Sequence, residues 1–143
     1  MNTKLVLFAV ACLTSLNAFS QASNARSIFE SGANIYVREG AQAAVKAWLK
    51  GSALEGNTQA VSQANSLRQV EDFYGKPESH EVMSESQVGT RTRMLLAAIY
   101  FQKGPLYTRM QIFQLPSGDW VLTEFKFHTE AAQLFPNSAL YGR

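Results

Sequence analysis

The sequence predicts an α+β fold in which helices come first and an antiparallel sheet of about four strands follows. Between Ser27 and Tyr74, apolar residues recur at the three- and four-residue spacing of amphipathic helices. Gly75 and Pro77 end this pattern, because glycine favours a helix C-terminus and proline does not continue a helix. After them, apolar stretches alternate with short turn sequences, which is typical of an antiparallel meander.

Three helices are predicted in the first half of the chain. Ser27 and Glu30 have the form of a capping box, so the first helix is expected to begin there. Gly40 is expected to bend the chain before a strongly helical composition resumes. The predicted helices cover Ser27 to Arg38 or beyond, Ala41–Leu49 and Thr58–Tyr74.

Four strands are predicted after Pro77. The first is short and mixed, as an edge strand is, whereas the second is apolar on both alternating sets of residues, as a strand covered on both faces is. Gly104-Pro105 is expected to form one turn, and Pro116-Ser117-Gly118 suits a three-residue hairpin loop that ends in a left-handed glycine. The predicted strands are His80–Val88, Thr92–Gln102, Leu106–Leu115 and Trp120–His128.

The first 22 residues have the parts of a cleavable signal peptide. A short polar start with one lysine precedes the apolar segment Leu5 to Leu13, and small residues precede possible cuts near Ser20 or Ala22. Polar residues interrupt the apolar run before it reaches the roughly 20 residues of a spanning helix. We therefore expect residues 1–22 to be removed, residues 23–143 to form a single domain, and the protein to be periplasmic or secreted.

Export would change both the cysteine content and the charge of the working domain. Cys12 is the only cysteine and lies inside the predicted signal, so the mature domain would contain no disulfide. Loss of Lys4 changes 13 basic and 11 acidic residues to 12 against 11, a net charge of about +1. This charge gives no general attraction to nucleic acid or to anionic membranes, and no second apolar run would span a bilayer.

Common catalytic and cofactor motifs are not found in the mature sequence. It has no cysteine nucleophile, no Gly-x-Ser-x-Gly sequence and no glycine-rich phosphate loop. His80 and His128 do not have the spacing of a metal site, and Arg91 and Arg93 do not form a basic cluster with stacking aromatics. We therefore predict no catalytic residue, no metal, no cofactor and no nucleic-acid partner.

The two predicted hairpins bring a few polar residues among apolar ones. A Gly104-Pro105 loop would place Tyr100 opposite Arg109, and the following loop would place Arg109 opposite Phe125. Arg109 would then stack on these rings and anchor an anionic or aromatic ligand. The alternative is an arginine whose stem covers the sheet while its head reaches solvent or a carboxylate.

Glu124 and Trp120 complete the candidate ligand-binding set. In the same register Glu124 lies beside Met110, where an apolar setting would raise its pKa and suit it to proton abstraction. The alternative is an exposed strand end or an ion pair, and a one-residue slip would pair Glu124 with Arg109. Trp120 is interpreted as a core residue between helix and sheet that could also contact a ligand.

The predicted architecture and one turn carry a family resemblance. Amino-terminal helices on a curved antiparallel meander resemble the NTF2-like superfamily, of the cystatin type. The stretch Tyr107 to Phe127, with its Pro-Ser-Gly-Asp-Trp turn, resembles small exported bacterial proteins of that type. Because the family ranges from steroid isomerases to domains without known chemistry, the resemblance implies a fold and leaves the function open.

Three functions follow as hypotheses. The first is a non-catalytic exported domain that binds a small ligand or a protein partner, as a homodimer through a sheet face that a charge at Phe113 or Val121 would break. The second is a steroid-isomerase-like enzyme with Glu124 as its base. The third is a periplasmic inhibitor or immunity protein that makes contact through an exposed loop at 78–89.

Overall fold

The computed structural model describes residues 24–142, so the predicted signal peptide lies outside the described residues. Three helices are followed by a four-stranded antiparallel sheet with the order β1-β2-β3-β4, and the sheet is not closed. The predicted α+β fold is confirmed. The elements are α1 (Asn24–Glu39), α2 (Ala41–Leu49), α3 (Thr58–Tyr74), β1 (Pro77–Val88), β2 (Thr92–Phe101), β3 (Gly104–Gln114), β4 (Trp120–His128), a 3-10 turn (Ala131–Gln133) and α4 (Asn137–Tyr141).

Helix α1 packs through a stripe at the expected helical spacing. Ala25, Phe29, Ala33 and Tyr36 are all fully buried. Ser27 already lies inside the helix, so its prediction as the capping residue is wrong. The reason is that burial of Ala25 extends the packed stripe one turn further towards the N-terminus than the capping pattern indicated.

The turn between β2 and β3 differs from the prediction. Phe101 pairs with Gly104, so Gln102 and Lys103 form the loop instead of Gly104 and Pro105. The Lys103 N–H donates to the Tyr74 carbonyl at 2.9 Å, which ties this loop to the end of α3. Gly104 is needed for packing, since a Cβ placed there would lie 2.6 Å from Cε1 of Tyr74.

The hairpin between β3 and β4 begins in the predicted register and then departs from it. The Leu115 N–H donates to the Asp119 carbonyl at 2.7 Å, and Gly118 has the expected left-handed φ of 96°. The register then shifts at Gln111, where Thr123 is the extra residue of a β-bulge. The Thr123 hydroxyl donates to the Gln111 carbonyl at 3.1 Å, which ties the extra residue to the neighbouring strand.

The core lies between the helices and one face of the sheet, with Trp48 at its centre. The Trp48 indole N–H donates to the Phe29 carbonyl at 3.1 Å, and its ring centroid lies 4.9 Å from that of Phe125. Trp48 therefore joins α1, α2 and β4, as the sequence predicted for a residue linking helix and sheet. Within the described part of the chain, no helix has the length and apolarity needed to cross a bilayer.

Candidate functional site

The register separates the residues that the sequence analysis placed around Arg109. Arg109 pairs with Leu96 on one side and with Lys126 on the other, whereas Tyr100 pairs with Pro105. The predicted stacking of Arg109 between Tyr100 and Phe125 is therefore wrong. Because Gln102 and Lys103 form the loop, Tyr100 pairs with Pro105 instead of Arg109. The bulge at Thr123 turns Phe125 to the face of the sheet that packs on the helices, where it is buried against Trp48.

Arg109 instead belongs to an ion cluster on the face of the sheet away from the helices. Its Nη2 lies 3.3 Å from Glu124 Oε2, and Lys126 Nζ lies 2.9 Å from Glu124 Oε1. The hydrogen bond from Lys126 and the charge of Arg109 hold the pKa of Glu124 below its ordinary value. Of the two interpretations of Glu124, the ion pair is therefore the one observed and the raised pKa is wrong, because the bulge carries Glu124 from the apolar neighbourhood of Met110 to this cluster.

Tyr100 is also engaged in a local contact. Its hydroxyl donates to Glu81 Oε2 at 2.8 Å, and this hydrogen bond is the main reason that the Tyr100 pKa is raised. The side chain is 37% exposed at the β1–β2 pairing. The structure therefore does not bring Tyr100, Arg109 and Phe125 into one site.

Trp120 is the one predicted site residue that lines a groove beside the β3–β4 hairpin. This groove, here called the hairpin groove, has a volume of about 560 Å³ and lies between α1, the end of α2 and the β3–β4 hairpin. Its volume falls within the range of pockets that hold small organic molecules. The lining residues are Ser27, Ile28, Ser31, Ala47, Trp48, Lys50, Gly51, Leu115, Asp119, Trp120 and Val121.

The walls of the hairpin groove combine apolar side chains with two serines and two charged groups. Trp120 is half-buried, and the Arg93 guanidinium carbon lies 5.4 Å from its ring centroid. Among residues 24–142, the Trp120 indole N–H has no hydrogen-bond partner, and neither Lys50 nor Asp119 forms an ion pair. Trp48 differs, since its N–H is already bonded to the Phe29 carbonyl. The groove thus offers an apolar surface, the Trp120 indole N–H and the Lys50 ammonium group, with the Asp119 carboxylate beside them.

Comparison with known proteins finds no protein similar to this chain. The chain matches no protein-family model, no curated protein and no solved structure. The hairpin groove must therefore be interpreted from its own residues.

A second groove of about 560 Å³ lies between α1 and the start of β1. It is lined more by polar groups, and His80 Nε2 is already 3.1 Å from Asn34 Oδ1. A third groove of about 350 Å³ runs beside Phe73, which is 75% exposed, and His128. Neither contains a tryptophan, and no group of three or more potential metal ligands occurs within the described ranges.

The C-terminal segment packs on the open face of the sheet. Phe135 is only 5% exposed, and its ring centroid lies 5.5 Å from that of Tyr107 in an edge-to-face contact. The terminal segment therefore covers part of the sheet face that lies away from the helices.

Most of the hairpin groove could not be identified from the sequence. Ser27 and Ser31 are one helical turn apart on α1, and Lys50 follows α2 directly, but no sequence spacing relates these positions to Asp119. The Pro-Ser-Gly-Asp-Trp turn was the available signal, since it exposes a tryptophan next to a tight hairpin loop.

Proposed function

We propose that this domain is a non-catalytic binding module that takes a small amphipathic molecule into the hairpin groove. The observation that carries the proposal is Trp120, a half-buried indole with an unpaired N–H in a groove of about 560 Å³. Apolar pockets with a few convergent polar groups are the usual form of small-molecule sites. The lowered pKa of Glu124 favours binding over the isomerase hypothesis, because the proposed base is an ion-paired carboxylate.

The lining residues favour a ligand that has a flat apolar part and an acidic group. Ile28 and Trp120, both only partly buried, provide the apolar surface, and Trp48 lies behind it. Lys50 has no carboxylate partner within residues 24–142 and supplies the charge for an acid, whereas Asp119 already accepts a hydrogen bond from Ser117 Oγ at 2.9 Å. A ligand acid paired with Lys50 would gain a charge-assisted hydrogen bond.

The test uses anilinonaphthalene sulfonate, a fluorescent probe with this chemistry, and the purified protein. Trp120→Ala should weaken probe binding by about tenfold or more, which corresponds to about 1.4 kcal/mol. Phe73→Ala is the matched control, because it removes an exposed aromatic from a different groove and should leave binding unchanged. Ala47→Phe provides a second variant that fills the groove without removing a packed ring. Probe affinity that survives both groove variants would refute the proposal.

The charge preference is tested separately. Lys50→Gln should weaken binding of the sulfonate probe but not of N-phenylnaphthylamine, its uncharged counterpart. Lys103→Gln, in the β2–β3 loop, is the control for a general loss of positive charge. Equal weakening of both probes by Lys50→Gln would contradict the role of its charge.

The export signal, the periplasmic or secreted location and the NTF2-like relationship stand as proposals from the sequence. Removal of the signal is tested by mass spectrometry of protein recovered from a bacterial host. We expect a chain that begins near Gln21 or Ser23, and an intact Met1 would contradict processing.

A further inference from the structure

The outer edge of β1 is open along half of its length. β1 has 12 residues, against 10, 11 and 9 for β2, β3 and β4. The residues from Met83 to Val88 are exposed, although the Glu85 side chain, which pairs with Arg93, is only 23% exposed. Among the described residues, the backbone of this segment makes no hydrogen bond outside its ladder with β2. Such an edge is a template for another strand.

The two sheet edges differ in their protection. At the β4 edge, Gln63 Nε2 on α3 donates to the Phe125 carbonyl at 3.3 Å. At the β1 edge, α1 contacts the first half, where Asn34 meets His80. A bulge follows Val82, but beyond it the strand contains no lysine or proline, which are the residues that commonly guard an edge.

Hydrogen-bond geometry limits how a second copy could add to this edge. In β1, every second residue points its backbone N–H and C=O groups away from β2. Two antiparallel β1 strands can therefore form hydrogen bonds only if directly opposed residues have both odd or both even residue numbers. Placing Glu85 opposite Glu85 would oppose like charges, which destabilises a strand pair. Placing Gln87 opposite Gln87 would leave only a three-residue overlap before Gly89.

We propose that a second copy of this chain adds to the open half of β1, antiparallel, with Ser86 on the two-fold axis. This register places Glu85 opposite Gln87 and Ser84 opposite Val88, so no like charges are opposed. Glu85 keeps its own partner, since Arg93 Nε lies 3.7 Å from its Oε1. The result is an eight-stranded sheet with both sets of helices on one face.

The helices do not obstruct this pairing. α1 meets β1 near His80, and the overlap begins at Ser84, beyond the bulge. The second copy would also cover Val88, an apolar side chain that is 52% exposed. The overlap contains none of the residues that line the hairpin groove, although Arg93 contacts both Glu85 and Trp120.

Cysteine cross-linking tests the register directly. Directly opposed residues of antiparallel strands have Cα atoms about 4.5–5.5 Å apart, which suits a disulfide. In a Cys12→Ser background, Ser86→Cys should form a disulfide-linked dimer under mild oxidation. Ser84→Cys is the matched control on the same strand face, because its two copies would lie four residues apart, about 14 Å.

The outcomes separate the proposal from random collision and from other dimers. We expect cross-linked Ser86→Cys to form at least about tenfold faster than cross-linked Ser84→Cys, and light scattering of the unsubstituted protein to give the mass of a dimer. Equal cross-linking rates, or a monomer at the highest soluble concentration, would overturn the edge dimer. A dimer that cross-links at neither serine would overturn this register as well.

Discussion

Substitution of Gly32 by alanine tests how closely α1 approaches the tryptophan at the centre of the core. Gly32 is buried in the middle of α1, where alanine would ordinarily favour the helix by about 1 kcal/mol. A Cβ built at this position, however, would lie 2.1 Å from Nε1 and 2.3 Å from Cδ1 of Trp48. The two effects therefore have opposite signs.

The steric effect should be the larger one. Trp48 is 1% exposed, so its ring has no open space into which it can move. Overpacking a core typically costs about 1–3 kcal/mol, and displacing the indole would also lose its buried hydrogen bond to the Phe29 carbonyl, about 1 kcal/mol. After subtracting the helix preference of about 1 kcal/mol, we expect the free energy of unfolding to fall by about 1–3 kcal/mol.

Urea unfolding followed by tryptophan fluorescence measures this change. Ser31→Ala is the matched control, since Ser31 is the exposed neighbour of Gly32 on the same helix, and its effect should stay within about 0.5 kcal/mol. If Gly32→Ala is as stable as the unsubstituted protein, or more stable, the close approach of α1 to Trp48 is refuted.

Three further predictions concern the open face of the sheet. Glu124→Gln should lower the free energy of unfolding by at most about 1 kcal/mol near neutral pH. Because the pKa of Glu124 is lowered in the folded protein, this difference should be present above the ordinary glutamate pKa and vanish as the pH falls through the folded pKa. A difference that stays constant in acid would contradict the ion cluster with Lys126. Phe135→Ala should release the terminal segment from Tyr107 and speed its cleavage by protease, and an unchanged rate would contradict that docking. Phe113→Glu should leave the mass from light scattering unchanged if the dimer forms through β1, whereas a monomer would favour the sheet-face dimer.

Element types were readable from the sequence because glycine and proline mark their ends. Gly75 has a φ of 83°, and its N–H donates to the Glu71 carbonyl, so α3 ends where the glycine indicated. Gly118 likewise sets the loop that precedes β4. These are local effects, in which the conformational preference of one residue determines the outcome.

The strand registers depended on contacts between distant parts of the chain. The β2–β3 loop is held by the Tyr74 carbonyl, and the bulge at Thr123 is stabilised by a side-chain hydrogen bond to Gln111. The alternation of apolar and polar residues along a strand does not indicate where such a loop contact or bulge will lie. One bulge was enough to exchange the environments of Glu124 and Phe125, and with them the predicted ligand-binding site.

Nuclear magnetic resonance of the two indole N–H groups tests ligand binding in the hairpin groove most directly. On titration with anilinonaphthalene sulfonate, the Trp120 resonance should shift strongly because its N–H is unpaired and faces no other described group. The Trp48 resonance should shift less, since that N–H is held by the Phe29 carbonyl. A probe that binds while leaving the Trp120 resonance in place, and instead perturbs residues around Phe73 and His128, would contradict the assignment of the hairpin groove as the binding site.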